Sequence, residues 1–244
     1  MTYAVGVLLN AGLVMASDSR TNAGVDNVST FRKMTFFEKE GRHTICMLSA
    51  GNLSLTQAAI SVINEGRASK SAEVNIDKAK TMFRVARIVG NALREVHRTD
   101  AEHLKKHGTD FNATFIVGGQ IKDEKPRLFL VYGAGNFIEA TAETPFFQIG
   151  ETKYGKPVFD RLLDAGMPLA EAAKLVLISF DSTIRSNLSV GLPIDLFCYE
   201  TESLKISHHK RLGENDPYMT GVRRQWGEGL RKVFQGIAPP EIDG

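Results

Sequence analysis

The chain has 244 residues, 43% of them hydrophobic and 24% charged, a balance that excludes a disordered or fibrous protein and allows a sizeable core. Thirty Lys and Arg against 28 Asp and Glu leave a formal net charge of +2, so no dedicated electrostatic clamp for nucleic acid or acidic membrane is expected. No run reaches the ~18 apolar residues that span a bilayer, and no cationic segment leads into an apolar signal core, so a soluble, cytoplasmic chain forming one domain over 1–244 is expected.

The amino end reads as strands. Val5 to Leu9 and Leu13 to Ala16 are short β-friendly runs parted by Asn10-Ala11-Gly12, a composition suited to a tight hairpin. Lys33 to Glu38 and His43 to Leu48 follow, divided by Glu40-Gly41-Arg42, so four closely spaced antiparallel strands are predicted before any helix. The apolar period then changes to three and four at Leu55, Ala58, Ala59, Val62 and Ile63, predicting a helix from Asn52 to about Gly66. The same stripe from Ala79 through Val96, ahead of a charged stretch ending at Gly108, predicts the longest helix.

Strands are expected again at Ala113 to Val117, Arg127 to Tyr132 and Phe137 to Ile149, with a turn at Asp123 to Pro126. A further helix begins beside Pro168 and carries Leu169, Ala172, Ala173, Val176, Leu177 and Phe180, before strands at Pro193 to Tyr199 and Leu204 to His208. The tail, 215–238, has Val222, Trp226, Leu230, Val233 and Ile237 on one helical stripe, fitting either a helix packed on its own chain or an intersubunit contact. No repeat, low-complexity tract or linker interrupts this order, which predicts an α+β fold: a four-layer α-β-β-α sandwich of two antiparallel sheets.

Cys46 and Cys198 each lie in an apolar β-type run and read as buried free thiols. His103 and His107 have a metal-compatible helical spacing, but no acidic partner completes a zinc motif and Lys105 and Lys106 oppose a cation, so neither metal nor cofactor is expected. The glycines of Gly118-Gly119 and Gly133-Ala134-Gly135 fall between strands and read as turns, not as phosphate cradles.

Thr2 stands behind the initiator Met. Removal of Met1 would leave a threonine with both a nucleophilic hydroxyl and a free α-amine of pKa ~8, able to act as its own general base. Asp18 follows the second predicted strand, and Lys33 opens the third. A lysine beside the amine would hold it neutral, and a carboxylate would fix the lysine.

These residues carry a resemblance. Thr2 with Val5-Gly6-Val7, then Gly12 through Arg20, Arg32-Lys33-Met34 and Ser49-Ala50-Gly51 before a helix, resembles the start of proteasome β subunits. Phe147 through Pro157 and Gly213 through Leu230 are similar to the bacterial Anbu branch, the ancestral β subunit, so the likeness covers nearly the whole chain. It implies the N-terminal nucleophile hydrolase fold and a threonine-type peptidase acting on peptide or unfolded protein inside a homo-oligomer built as a ring or open helical ring. In that reading Thr2 is the nucleophile, Asp18 and Lys33 support it, Arg20 is structural, and the Gly51 N–H stabilises the oxyanion. The family's second acid corresponds to Asp181, and the serine after it to Ser189 in preference to Ser186. Where proteasome β subunits have serine after Ile-Gly, this chain has Glu151. Two alternatives accompany the reading: an amidase or small-peptide acyl-transfer enzyme on the same fold, and a non-catalytic assembly subunit.

Overall fold

The computed structural model describes residues 2–22, 28–109 and 111–242. Strands β1 (Tyr3–Leu9) and β2 (Gly12–Asp18) form the hairpin expected at the amino end. Gly12 closes it with φ +142°, and a Cβ there would lie 1.9 Å from the Tyr199 carbonyl oxygen, so only glycine fits. A short ribbon of β3 (Arg20–Asn22) and β4 (Val28–Thr30) then leads to a second hairpin, β5 (Met34–Lys39) and β6 (His43–Gly51).

Helix α1 (Leu53–Gly66) starts where Asn52 accepts the Ser54 N–H at 3.0 Å. Helix α2 (Met82–Lys106) is capped by Thr81, whose hydroxyl accepts the Arg84 N–H at 3.2 Å, and it is the longest helix described. Beyond it come β7 (Ala113–Ile121), β8 (Arg127–Val131), β9 (Phe137–Glu139) and β10 (Phe146–Gly150). Helices α3 (Lys156–Leu162) and α4 (Leu169–Ser186), strands β11 (Ile194–Glu200) and β12 (His208–Leu212), and helix α5 (Pro217–Gly236) complete the chain.

Two five-stranded antiparallel sheets result, ordered β10-β1-β2-β11-β12 and β5-β6-β7-β8-β9. Apolar side chains of the second sheet pack with α1 and α2, as Phe115, Val117 and Phe129 do against Val85, Val89 and Leu93. The first sheet packs Tyr3, Val5, Val7 and Val14 against Val176, Leu177 and Phe180 of α4. Between the sheets lies a third cluster with Ala4, Leu13, Met15, Leu48, Ile116 and Phe197. Alternate residues of β1 and β2 therefore enter two different cores, which is why these strands are apolar at consecutive positions. The predicted four layers are the observed ones.

Several expectations need correction. The first four predicted strands pair as two antiparallel hairpins that lie in different sheets: the ribbon β3–β4 carries the chain from one sheet to the other, and β1 and β2 also pair with the late strands β10 and β11. The single run Phe137 to Ile149 is two strands in different sheets, broken where Thr141 and Thr144 form a turn. The strand expected at Leu204 to His208 lies later, because Glu202 (φ +66°) and Leu204 (φ +44°) turn the chain first. Pro168 caps α4 from outside its first turn. Helix α3, seven residues long without a side-chain cap, was too short for its period to register. Cys46 is buried and Cys198 half-buried, both free thiols.

The tail helix packs on its own chain over its first half. Asp216 accepts the Tyr218 and Met219 N–H groups at 2.9 and 3.2 Å, Met219 is buried, and Val222 and Trp226 line a groove of about 350 Å³ with Ile178 of α4. Leu230, Val233 and Ile237 are 52%, 63% and 67% exposed, so the predicted stripe is covered only at its start. No described helix is long and apolar enough to cross a membrane.

The two ends of the sandwich differ. Away from Thr2, Gln120 of β7 accepts the Tyr199 hydroxyl at 2.6 Å and the Glu202 N–H at 2.8 Å, and its amide donates to the Glu124 carbonyl at 2.6 Å and to the Glu202 carboxylate. Buried polar groups from both sheets are thus tied together. At the Thr2 end the helix layer bears on β1: the Tyr3 and Phe180 rings lie 4.6 Å apart, and the Tyr3 hydroxyl donates to Ser179 at 2.9 Å and accepts from Gln148 at 2.6 Å. Phe180→Ala is expected to lower stability by about 3–5 kcal/mol, read as a fall in the urea midpoint at unchanged slope.

Candidate active site

Thr2 is buried at the edge where β1 begins. Its carbonyl accepts the Glu151 N–H at 2.7 Å. Gly150 permits this approach with φ +81°, since a Cβ there would meet the Thr2 carbonyl oxygen at 1.9 Å. Met1 lies outside the described residues.

One residue on, the Tyr3 N–H donates to the Asp18 carboxylate at 3.1 Å, so the last residue of β2 holds the first of β1. The same Asp18 oxygen accepts from Lys33 Nζ at 2.8 Å, with the two side chains 0% and 6% exposed. Lys33 also donates to the Arg20 carbonyl at 2.5 Å, and the Lys33 carbonyl accepts the Ser49 N–H at 2.9 Å. Burial pushes the Asp18 carboxyl up and the Lys33 amine down, and their mutual attraction opposes both shifts.

Arg20 lies between the exit of β2 and the loop after α4. Its guanidinium donates to the Leu188 carbonyl at 3.1 Å and packs on Gly191, where a Cβ would lie 2.2 Å from Arg20 Cζ. This ties the exit of β2 to the loop between α4 and β11. Gly51, at the end of β6, has φ +107°, and a Cβ there would lie 2.2 Å from the Asn112 carbonyl oxygen. A groove of about 330 Å³ opens beside it, lined among others by Asn112, Thr114, Tyr132, Gln148, Gly150 and Thr152. Gly150, which abuts Thr2, and Gly51 therefore share one cleft between the sheets.

The structure joins Asp18, Lys33 and Arg20 in one chain of contacts that ends on the amide of Tyr3, the residue after Thr2, and sets Gly51 across the adjoining groove. It places Asp181 differently. That carboxylate lies within α4, well before its end, and meets Arg223 of α5 at 3.2 Å and Arg185 at 3.7 Å; no described contact joins it to Thr2, Asp18 or Lys33. Ser189 sits in the loop after α4, where its N–H donates to Asn187 Oδ1 at 2.9 Å; Ser186 is the last residue of α4 and is exposed. Asn187 donates to Glu151 at 2.8 Å. Sequence reasoning missed Asn187, and no local pattern marks it, because its partner is far away in the chain.

The sequence model of the family described as "Proteasome subunit" matches residues 2–196. The chain is similar to proteasome subunit beta 2 of Pyrobaculum neutrophilum, 25% identical over 197 residues, covering 79% of this chain and 86% of that one. Among solved structures, Anbu from Hyphomicrobium sp. strain MC1 is 49% identical with a TM-score of 0.91, covering 98% of this chain and 100% of its own. The helical assembly of the Anbu complex from Pseudomonas aeruginosa is 42% identical with a TM-score of 0.92, covering 99% and 100%.

The Lys33–Asp18 pair generates a stability prediction. Lys33→Met leaves a buried carboxylate without its cation, at a cost of about 3 kcal/mol near pH 8. Lacking the lysine, Asp18 titrates at a still higher pH, so the deficit is full above that raised value and closes as pH falls through it. Urea unfolding of wild type and variant from pH 8 to 4 checks both size and direction.

Proposed function

The chain belongs to the proteasome subunit family, in its Anbu branch, and from the geometry around Thr2 we propose that it is a threonine-type peptidase. The observation that carries this reading is the buried Lys33–Asp18 pair bonded to the amide of Tyr3, the residue after Thr2. A cation and an anion removed from water cost several kcal/mol in desolvation, and a purely scaffolding subunit has no use for them at the start of its first strand.

The proposed cycle begins once Met1 is removed. The Thr2 hydroxyl attacks a peptide carbonyl while its proton passes to the α-amine, directly or through one water. Lys33 keeps that amine neutral by charge repulsion, and Asp18 keeps Lys33 in place. The Gly51 N–H receives the oxyanion, an interaction typically worth ~3 kcal/mol. The amine returns the proton to the leaving nitrogen, an ester forms on Thr2, and water cleaves it. Asp181 has a structural role in this scheme, joining α4 to α5 through Arg223, and Ser189 acts through the loop that meets Glu151.

The substrate class is peptide or unfolded protein, taken into the cleft between the sheets, in the cytoplasm. The family and the helical assembly of the Pseudomonas aeruginosa relative support a homo-oligomer that restricts access to the site. Light scattering is expected to give a particle several times the 26.8 kDa of one chain.

Intact mass is expected to show loss of Met1, and an epoxyketone is expected to add to both amine and hydroxyl of Thr2, located by peptide mapping. Lys33→Met and Asp18→Asn should each slow this reaction about 10²-fold while leaving the particle size unchanged. Met1 removed and Thr2 unlabelled would sink the peptidase reading and leave an assembly subunit.

A further inference from the structure

Asp18 and Lys33 account for one side of Thr2, and Glu151 stands on the other. The register that pairs Tyr3 with Gly150 sets Thr2 opposite Glu151, and the Glu151 N–H to Thr2 carbonyl bond at 2.7 Å continues that pairing. Gly150 turns out of the extended conformation at φ +81°, and this hydrogen bond is what places Glu151 beside Thr2. The Glu151 side chain is 9% exposed, yet its described partners are few: Asn187 Nδ2 donates to one oxygen at 2.8 Å, and Lys153 Nζ, on a side chain 74% exposed, lies 3.9 Å from the other. A buried carboxylate with one neutral donor and one distant, solvated cation retains most of its negative potential.

The surroundings on other elements leave that potential for the amine. From β2, Asp18 is engaged by Lys33 and by the Tyr3 N–H. The Arg20 guanidinium is turned to the Leu188 carbonyl. From β11, Asp195 is held by Arg211 at 2.8 Å and by the Ser19 hydroxyl at 3.1 Å, with His209 at 3.6 Å. The loop after α4 contributes the neutral Asn187 and Ser189.

We propose that the Glu151 carboxylate, oriented by Asn187, is the counter-charge of the Thr2 α-ammonium and sets the pH at which that amine becomes a base. This rests on Thr2 being the nucleophile and adds the regulation of its proton. In this role Glu151 is a positioning residue that acts through the Thr2 amine, and it opposes Lys33. Repulsion from Lys33 favours the neutral amine, attraction to Glu151 favours the ammonium, and the working pH is set by their difference. Activity therefore rises with pH through the amine's pKa, and Glu151 moves that rise to a higher pH than Lys33 alone would set.

Competitive acetylation with trace acetic anhydride, mapped at Thr2 from pH 5 to 10 on Met1-free protein, reads the amine's ionisation without any need for turnover. Glu151→Gln keeps the shape and the bond from Asn187 but removes the charge. Its midpoint is expected to fall by about one pH unit, so that acetylation on the acid limb is about tenfold faster. Asn187→Ala, which removes the donor that orients the carboxylate, should move the midpoint the same way by less, and it serves as the test if Glu151→Gln does not fold. A midpoint in either variant equal to or above wild type overturns the proposal. Coincident midpoints in a Thr2 that still takes the epoxyketone sink this inference alone. Shifted midpoints in a Thr2 that takes none sink the peptidase reading and leave the charge pairing standing.

Discussion

The site depends on one buried ion pair. Asp18 ends β2, Lys33 precedes β5, and these strands belong to different sheets, so the 2.8 Å contact between them spans the sandwich at its open end. The same carboxylate oxygen holds the Tyr3 amide, and one atom therefore fixes both the lysine and the strand that begins with Thr2. Such a pair adds little to net stability once desolvation is counted. Its worth lies in position: removing either partner leaves a charge that the surrounding apolar layers cannot solvate.

Glycines make the rest of the arrangement possible by letting backbone approach backbone. Gly150 allows the Thr2 carbonyl against the β10 strand, and Gly51 allows the end of β6 against Asn112. Each sits where any side chain would collide with a main-chain atom, which nothing flexible could relieve. The cleft between them is consequently walled by main chain on both sheets, with Asn112, Thr114, Tyr132, Gln148 and Thr152 supplying neutral polar groups around it.

Much of this was legible before any coordinates. The change of apolar period at Leu55, and again after Ala79, marked α1 and α2 because long amphipathic helices repeat their pattern many times. Thr2, Asp18, Lys33 and Gly51 stood out because each closes or opens a strand in a recognisable order. Pairing was less legible. Nothing near β1 says that its partner is β10, since strand pairing is decided by what remains after both faces of each sheet are buried. The break at Thr141 was hidden for a similar reason, as the apolar residues on its two sides serve different sheets. Glu151 showed as a departure from the proteasome pattern, but its tie to Asn187 needed the fold, being a contact between a strand end and the loop after α4. Asp181 was expected at the end of its helix but lies inside α4, where Arg223 of α5 engages it, a contact between distant segments that no local pattern announces.

The Gln120 knot carries a mechanical consequence. Tyr199, Glu202 and Gln120 fasten one sheet to the other at the end away from Thr2 by several short hydrogen bonds, whereas the opposite end is bridged by the ion pair of Lys33 and Asp18 and then opens into the groove. Two stiff plates joined this way behave as tongs: a small rocking of one sheet on the other is suppressed at the knot and grows along the strands toward the tips. The tips are Thr2 with Gly150 on one plate and Gly51 on the other, so the width of the cleft between Thr2 and Gly51 is the coordinate along which such a sandwich yields most easily.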